Sequence, residues 1–182
     1  ISEDIQGGDI TSVLLPKKKI KAKIISRQDG VLAGIRFARE IFHLKGCSAR
    51  IMKKDGTRLK PNQVVLDVYG NADTVLSCER TVLNLLSRMS GIATHTSLLI
   101  SKIRKINKKT NLYSTRKTAP GLRYFDKEAV KIGGGHKHRM ALDDMVMIKD
   151  NHLLVCNSME DIIKNARKRH KHVEVEVENQ KD

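Results

Sequence analysis

From residue 111 onward the chain alternates short apolar strands with helices, and that rhythm leaves few folds open. Asn111–Thr115 reads as a strand, Tyr124–Ile132 as a helix, Asp144–Ile148 as an apolar strand, Ser158–Arg169 as a helix and Val173–Val177 as a strand. Ser158 stands where an N-cap belongs, with Asp161 three residues on. Strands that alternate with helices form βα units and a parallel sheet. A sheet of three parallel strands would keep an open outer edge, so the pattern predicts further strands beyond Asp182. The chain also begins at Ile1 rather than Met, which implies a further short N-terminal piece.

The first hundred residues have a different pattern. Ser2 to Ser12 is polar and broken by Gly7-Gly8, a loop or a short capped helix. Ile20, Ala22 and Ile24 alternate with Lys21 and Lys23, a half-buried strand. Asp29-Gly30 signals a turn, and Ile35, Ala38, Ile41, Phe42 and Leu44 make a helical stripe that Gly46 closes. Ala49–Lys53 and Val64–Tyr69 read as strands, with Asp55-Gly56 turning the chain between them. A long helical region then runs from Asp73 to about Ile106. Its apolar residues (Val75, Leu76, Val82, Leu83, Leu85, Leu86, Met89, Ile92) are too dense for one face, which predicts burial on more than one side and a division at Gly91. The expected organisation is α/β: residues 1–108 as a small mixed domain with its long helical region, and residues 109–182 as the first part of a βα domain.

With 40% hydrophobic and 30% charged residues the chain belongs to the globular class. No apolar run approaches the roughly 20 residues of a membrane helix, and no secretory leader is present, so a cytoplasmic protein is expected. Cys47, Cys78 and Cys156 have neither paired nor metal-type spacing and are expected as buried thiols in a reducing compartment. The net charge of +15 admits a solvated basic surface, a nucleic-acid binder or a site for a small polyanion. Lys17-Lys18-Lys19, Lys108-Lys109 and Arg167-Lys168-Arg169 fall in turns or on helix faces, where lysines and arginines are solvated. A single-strand binder needs stacking aromatics, and this chain has no Trp and 3% aromatics. The charge alone therefore predicts weak, non-specific nucleic-acid association at most.

The basic residues in the middle of the chain are placed differently. Ser114-Thr115-Arg116-Lys117-Thr118 ends the first strand of the alternating region, at the edge where βα folds bind ligands; a solvated strand end is the bland alternative. Gly133-Gly134-Gly135-His136-Lys137-His138-Arg139 follows the next helix. It reads either as a phosphate loop, though its spacing fits neither standard fingerprint, or as a flexible helix cap. Ile148-Lys149-Asp150-Asn151-His152 closes the second strand with another cation. His136, His138 and His152 lack the partners and spacing of a zinc site. Along the third strand Glu174, Glu176 and Glu178 alternate with valines. Three like charges on one face of a buried strand require an answer, from the cations above, a metal or both. The sum is a cationic pocket with a carboxylate opposite, suited to a small ligand with several negative charges.

These segments resemble the quinolinate phosphoribosyltransferases, the carboxylating nicotinate-nucleotide pyrophosphorylases of NAD synthesis. The resemblance is carried by Glu79–Asn84 running into Ser90–Thr94, by Ser114–Arg123, by Gly133-Gly134-Gly135 with His138-Arg139, by Ile148–His152 and by Glu174–Glu178, with Gly8–Ser12 matching the opening. The resemblance implies an N-terminal α/β sandwich followed by an incomplete βα barrel. It implies transfer of a phosphoribosyl group from phosphoribosyl pyrophosphate to quinolinate, with Mg²⁺, yielding nicotinate mononucleotide, CO₂ and pyrophosphate. On matching positions Arg116, His138, Arg139 and Lys149 would bind the quinolinate carboxylates. Lys117 would lie between the two substrates, and Glu176 would face the ribose and its metal. Arg80 would reach the neighbouring active site of a homodimer. The family's later barrel strands, with a further acidic residue and the 5-phosphate loops, have no counterpart before Asp182, and Ala119 and His136-Lys137 vary within the motifs. A relative of the same fold acting on nicotinate or another base, or a molybdenum-associated one, is the nearest alternative; a basic nucleic-acid-binding module is the alternative of a different class.

Overall fold

The computed structural model describes residues 2–156 and 158–177. They fall into two compact units, one ending at Lys137 and one starting at His138. The first unit opens with a 3₁₀ turn, Ser12–Leu14, where the Asp9 carboxylate accepts from the amides of Thr11 and Ser12 at 3.0 Å each. Strand β1 (Lys19–Ile25), strand β2 (Gly30–Val31), helix α1 (Ile35–Leu44), β3 (Ser48–Ile51), β4 (Arg58–Leu59) and β5 (Val64–Asn71) follow. The antiparallel sheet has the order β1-β5-β3, and β2 pairs with β4 beside it.

The predicted alternation in β1 holds: Ile20, Ala22 and Ile24 are half-buried while the lysines are exposed, the pattern of a sheet with one covered face. Val65, Leu66 and Val68 of central β5 are buried, and α1 buries Ile35, Ala38 and Phe42 against them. The residue before α1 must be glycine. Gly34 has φ +95°, and a Cβ there would lie 2.6 Å from Met89 Sδ.

Helix α2 runs unbroken over Ala72–Ile106, 35 residues, and Gly91 does not divide it. A glycine in a helix interior costs about 1 kcal/mol relative to alanine, which packing along the rest of so long a helix offsets. Burial on more than one side is also corrected. The fully buried residues Ala72, Val75, Cys78, Val82, Leu86, Met89, Ala93 and Thr96 recur every three or four positions, a single stripe, while Leu76 and Leu98 are exposed. The stripe serves two cores in turn. Val75, Cys78, Val82 and Leu86 join the sheet and α1, and Met89 and Ala93 join Val31, Ala33 and Ala129 of helix α3 (Arg123–Ile132).

The strand expected at Asn111–Thr115 is reduced to one parallel bridge, Tyr113 to His136. The pairing segment emerges from the Gly133–Gly135 turn, and His138, two residues past the bridge, already has φ +50°, outside the extended region that a longer ladder needs.

In the second unit β6 (Val146–Ile148) and β7 (Val173–Val175) pair in parallel, as the alternation predicts. Strand β6 starts two residues later than expected and ends at Ile148 as expected; Lys149 is then the N-cap residue of a short helix α4 (Asp150–Val155). Helix α5 (Met159–Arg169) has the predicted cap, Ser158 Oγ accepting from Asp161 N at 3.3 Å. Strand β7 stops at Val175, two residues short of the expected end, and Glu178 lies outside the described residues.

Cys47 and Cys78 are buried, and desolvation pushes both thiols above their ordinary range. Cys156 is only half-buried, contrary to expectation, because it ends the exposed helix α4. A colorimetric disulfide reagent should therefore modify Cys156 first in the native protein, with Cys47 and Cys78 at least about tenfold slower. The three rates should converge in guanidinium.

Candidate functional site

In the first unit a pocket of about 270 Å³ opens beside the Ser114–Arg123 segment, with Arg88, Ser114, Lys117, Thr118, Asp126 and Lys127 in its wall. Its frame is a bidentate ion pair between α2 and the first turn of α3. Arg88 Nε donates to Asp126 Oδ1 at 2.7 Å and Arg88 Nη2 to Oδ2 at 2.8 Å. Asp126 is buried, and its bonds hold the Arg88 guanidinium above its usual pKa. The same carboxylate accepts from Ala119 N at 3.4 Å, so the pair also anchors the loop that carries Arg116 and Lys117. Within that loop Thr118 N donates to Arg116 O at 2.9 Å and Lys117 N to Thr115 Oγ1 at 3.1 Å.

Arg116 is half-buried, and its Nε lies in the interior without a hydrogen-bond partner. A buried guanidinium nitrogen left open is costly unless a ligand answers it. Lys117 is exposed beside it. Arg80 is exposed on α2, away from any ion pair among the described residues.

Of the two readings of the glycine run, the structure supports the cap. The amides of Gly133, Gly134 and Gly135 donate to the carbonyls of Ala129, Lys131 and Val130, so none of the three is aimed at a ligand. A Cβ on Gly133 would lie 2.5 Å from Ala93 O of α2, so the glycine is what lets α3 end against that helix.

In the second unit the glutamates are answered, but not because they are buried. Glu174 and Glu176 alternate with Val173 and Val175 on the exposed side of β7. His138 Nε2 lies 2.8 Å from Glu174 Oε2, and Lys149 Nζ pairs with Glu176 Oε2. The expectation of desolvated like charges is corrected accordingly: water reaches both carboxylates, and each has one basic neighbour. Arg139 is buried and donates from Nη1 to Met145 O at 3.2 Å. His138 adopts φ +50°, a left-handed conformation uncommon outside glycine. Among the described residues no group of three or more His, Cys, Asp or Glu side chains is placed to hold a metal ion. No helix there is long and apolar enough to cross a membrane.

The family model described as quinolinate phosphoribosyl transferase, N-terminal domain, matches residues 9–90, and its C-terminal domain counterpart matches residues 92–182. The chain belongs to the quinolinate phosphoribosyl transferase family. A probable nicotinate-nucleotide pyrophosphorylase (carboxylating) of Archaeoglobus fulgidus is 44% identical over 170 residues, covering 93% of this chain and 65% of the relative. The Bacillus subtilis protein of the same name is 40% identical over 182 residues, covering 97% and 62%. Among solved structures, NadC from Streptococcus pyogenes superposes with a TM-score of 0.88 at 35% identity, over 98% of this chain and 65% of that one. The nicotinate-nucleotide pyrophosphorylase of Ehrlichia chaffeensis gives 0.91 at 36% identity, over 98% and 66%. The chain thus spans slightly under two thirds of the length of these relatives, and its fold is the family's α/β sandwich with an incomplete βα barrel. The two family segments meet within α2, whereas the change of rhythm near residue 109 marks the end of that helix at Ile106.

Sequence reasoning missed Arg88, Asp126 and Lys127. Asp126 and Lys127 look like the polar side of an amphipathic helix, and no local pattern tells that α3 turns them inward. Replacing Arg88 by alanine strands a buried carboxylate and frees the Ala119 anchor. We expect it to lower stability by about 2 kcal/mol, with Asp126→Asn milder because the amide still offers an acceptor; urea unfolding monitored by circular dichroism checks both.

Proposed function

We propose that the protein, at its relatives' full length, transfers the phosphoribosyl group of phosphoribosyl pyrophosphate to quinolinate with decarboxylation, yielding nicotinate mononucleotide, CO₂ and pyrophosphate. The observation that carries this reading is the Nε of half-buried Arg116, shielded from solvent without a hydrogen-bond partner in the segment whose neighbours Thr115 and Lys117 line the pocket, in a chain of this family. A planar guanidinium fork matches a carboxylate bidentately. The names printed for the relatives are those of carboxylating nicotinate-nucleotide pyrophosphorylases.

On this reading Arg116, His138, Arg139 and Lys149 take the two quinolinate carboxylates, and Lys117 serves both substrates. Four cationic or protonatable groups suit a dicarboxylate better than a monocarboxylate such as nicotinate. Glu176 faces the ribose, where a carboxylate favours the cationic character that develops at the anomeric carbon as pyrophosphate leaves. Loss of CO₂ leaves negative charge on the pyridine ring, and the surrounding cations favour that state. No covalent nucleophile is required. Mg²⁺ arrives with phosphoribosyl pyrophosphate, since this ion keeps several waters and binds through substrate phosphates and one or two carboxylates. Exposed Glu176 is a donor of that kind. Arg80, exposed on α2, completes the active site of a second copy in a homodimer working in the cytoplasm.

The test is product formation by the full-length protein from quinolinate, phosphoribosyl pyrophosphate and Mg²⁺, with nicotinate in a parallel reaction. Nicotinate mononucleotide and CO₂ are expected from quinolinate alone, and turnover of nicotinate instead would overturn the substrate assignment. Arg116→Ala and Lys149→Ala should each raise the quinolinate KM on the order of a hundredfold, the loss of one strong charge-assisted contact.

A further inference from the structure

We infer that Lys127 is a positioning residue for the cationic segment Ser114–Lys117, an inference that rests on the reading of that segment as the quinolinate site. Lys127 is completely buried in the middle of α3. A lysine in such a place is far costlier than a methionine or leucine of similar volume, so its retention needs a task that a hydrophobic side chain cannot do. The geometry supplies one. Lys127 Nζ donates to Ser114 Oγ at 3.2 Å and to the carbonyl oxygen of Lys137, and Ser114 Oγ donates to that same carbonyl. One amino group thus ties the residue that leads into Thr115-Arg116-Lys117 to the residue that leads into His138.

The backbone alone does little here. The two segments share a single parallel bridge, closed by Ser114 N to His136 O at 2.9 Å and His136 N to Leu112 O at 2.8 Å. A bridge without a ladder on either side has little cooperative support. The far end of Lys137 is fixed as well: its amino group pairs with Glu128, which also binds Arg36 Nη2 at 3.4 Å. Lys137 is therefore a firm post, and Lys127 is the strut from that post to Ser114. Arg116 stands two residues beyond Ser114, and displacing a substrate-positioning group by about 1 Å can cost on the order of a hundredfold in rate. Lys127 itself shares the wall of the pocket with Lys117.

The test uses the full-length protein with Lys127→Met, which keeps the volume and removes the donor, with Ser114→Ala, and with both together. Two quantities are read: the kinetic constants, and hydrogen exchange at the amides of Ser114 and His136. We expect the quinolinate KM to rise about tenfold or more in each single variant and exchange at both amides to quicken by a similar factor, with the α2 amides unchanged. The double variant should be no worse than Lys127→Met, because hydroxyl and amino group act through one contact. Unchanged quinolinate KM overturns the inference, even if exchange quickens, because the amino group would then brace the fold without setting the site. Fully additive effects overturn the shared contact. Should Lys127→Met fail to fold, Ser114→Ala decides alone on the same two readouts. Should the unaltered protein turn over no quinolinate, the functional reading falls separately, and unchanged exchange rates would still overturn the strut.

Discussion

The Arg88–Asp126 pair is the contact on which the rest of the first unit's site depends. It joins the middle of α2 to the first turn of α3, and Asp126 holds Ala119 as well. A buried ion pair is weak evidence for net stability, since well-packed hydrophobic residues of the same shape often do as well. What such a replacement lacks is direction. Two parallel N–H···O bonds accept one orientation of α3 about its axis, and that orientation turns Lys127 toward Ser114 and sets the loop bearing Arg116 and Lys117.

The pair works only because the helices approach closely elsewhere. Ala93 and Ala129 are fully buried at the contact, and Gly133 ends α3 where any side chain would strike the backbone of α2. Small residues set the distance, and aromatic residues close its margin, with Phe37 and Phe125 edge to face at 5.1 Å. Alanine and glycine add little apolar area of their own, so this junction trades burial for proximity. The two bonds from Arg88 to Asp126, at 2.7 and 2.8 Å, span that close approach.

How much of this was legible varies with how local the cause is. Strand β1, helix α1 with its closing Gly46, the Ser158 cap and the parallel pairing of β6 with β7 follow from periodicity and turn chemistry within a few residues. The family motifs were equally legible, since Arg116, Lys117, His138, Arg139, Lys149 and Glu176 stand in fixed short segments. Longer-range causes were not. Gly91 looks like a helix breaker until the packing along α2 is known. The Gly133–Gly135 run looks like a ligand loop until Ala93 of α2 is seen beside it. The strand at Asn111–Thr115 had the right residues and too short a partner. Lys127 was the hardest, because a lysine on an amphipathic helix is assigned to solvent by every local rule.

The carboxylates divide into two kinds by how far water reaches them. Asp126 and Glu128 are largely shielded from water and hold Arg88, Arg36 and Lys137. Those cations are committed to the frame. Neither Arg116 nor Lys117 has a carboxylate within ion-pair distance among the described residues. Lys149 and His138 stand between these cases, each matched with a glutamate whose side chain is about half or more exposed. An ion pair in water contributes little, so the pairs of Lys149 with Glu176 and of His138 with Glu174 bind their partners only loosely. The excess of 35 lysines and arginines over 20 acidic residues is therefore not evenly spread in effect. Shielded acids neutralise the cations that build the fold, whereas Arg116 and Lys117 have no carboxylate beside them among the described residues and Lys149 and His138 are only loosely matched.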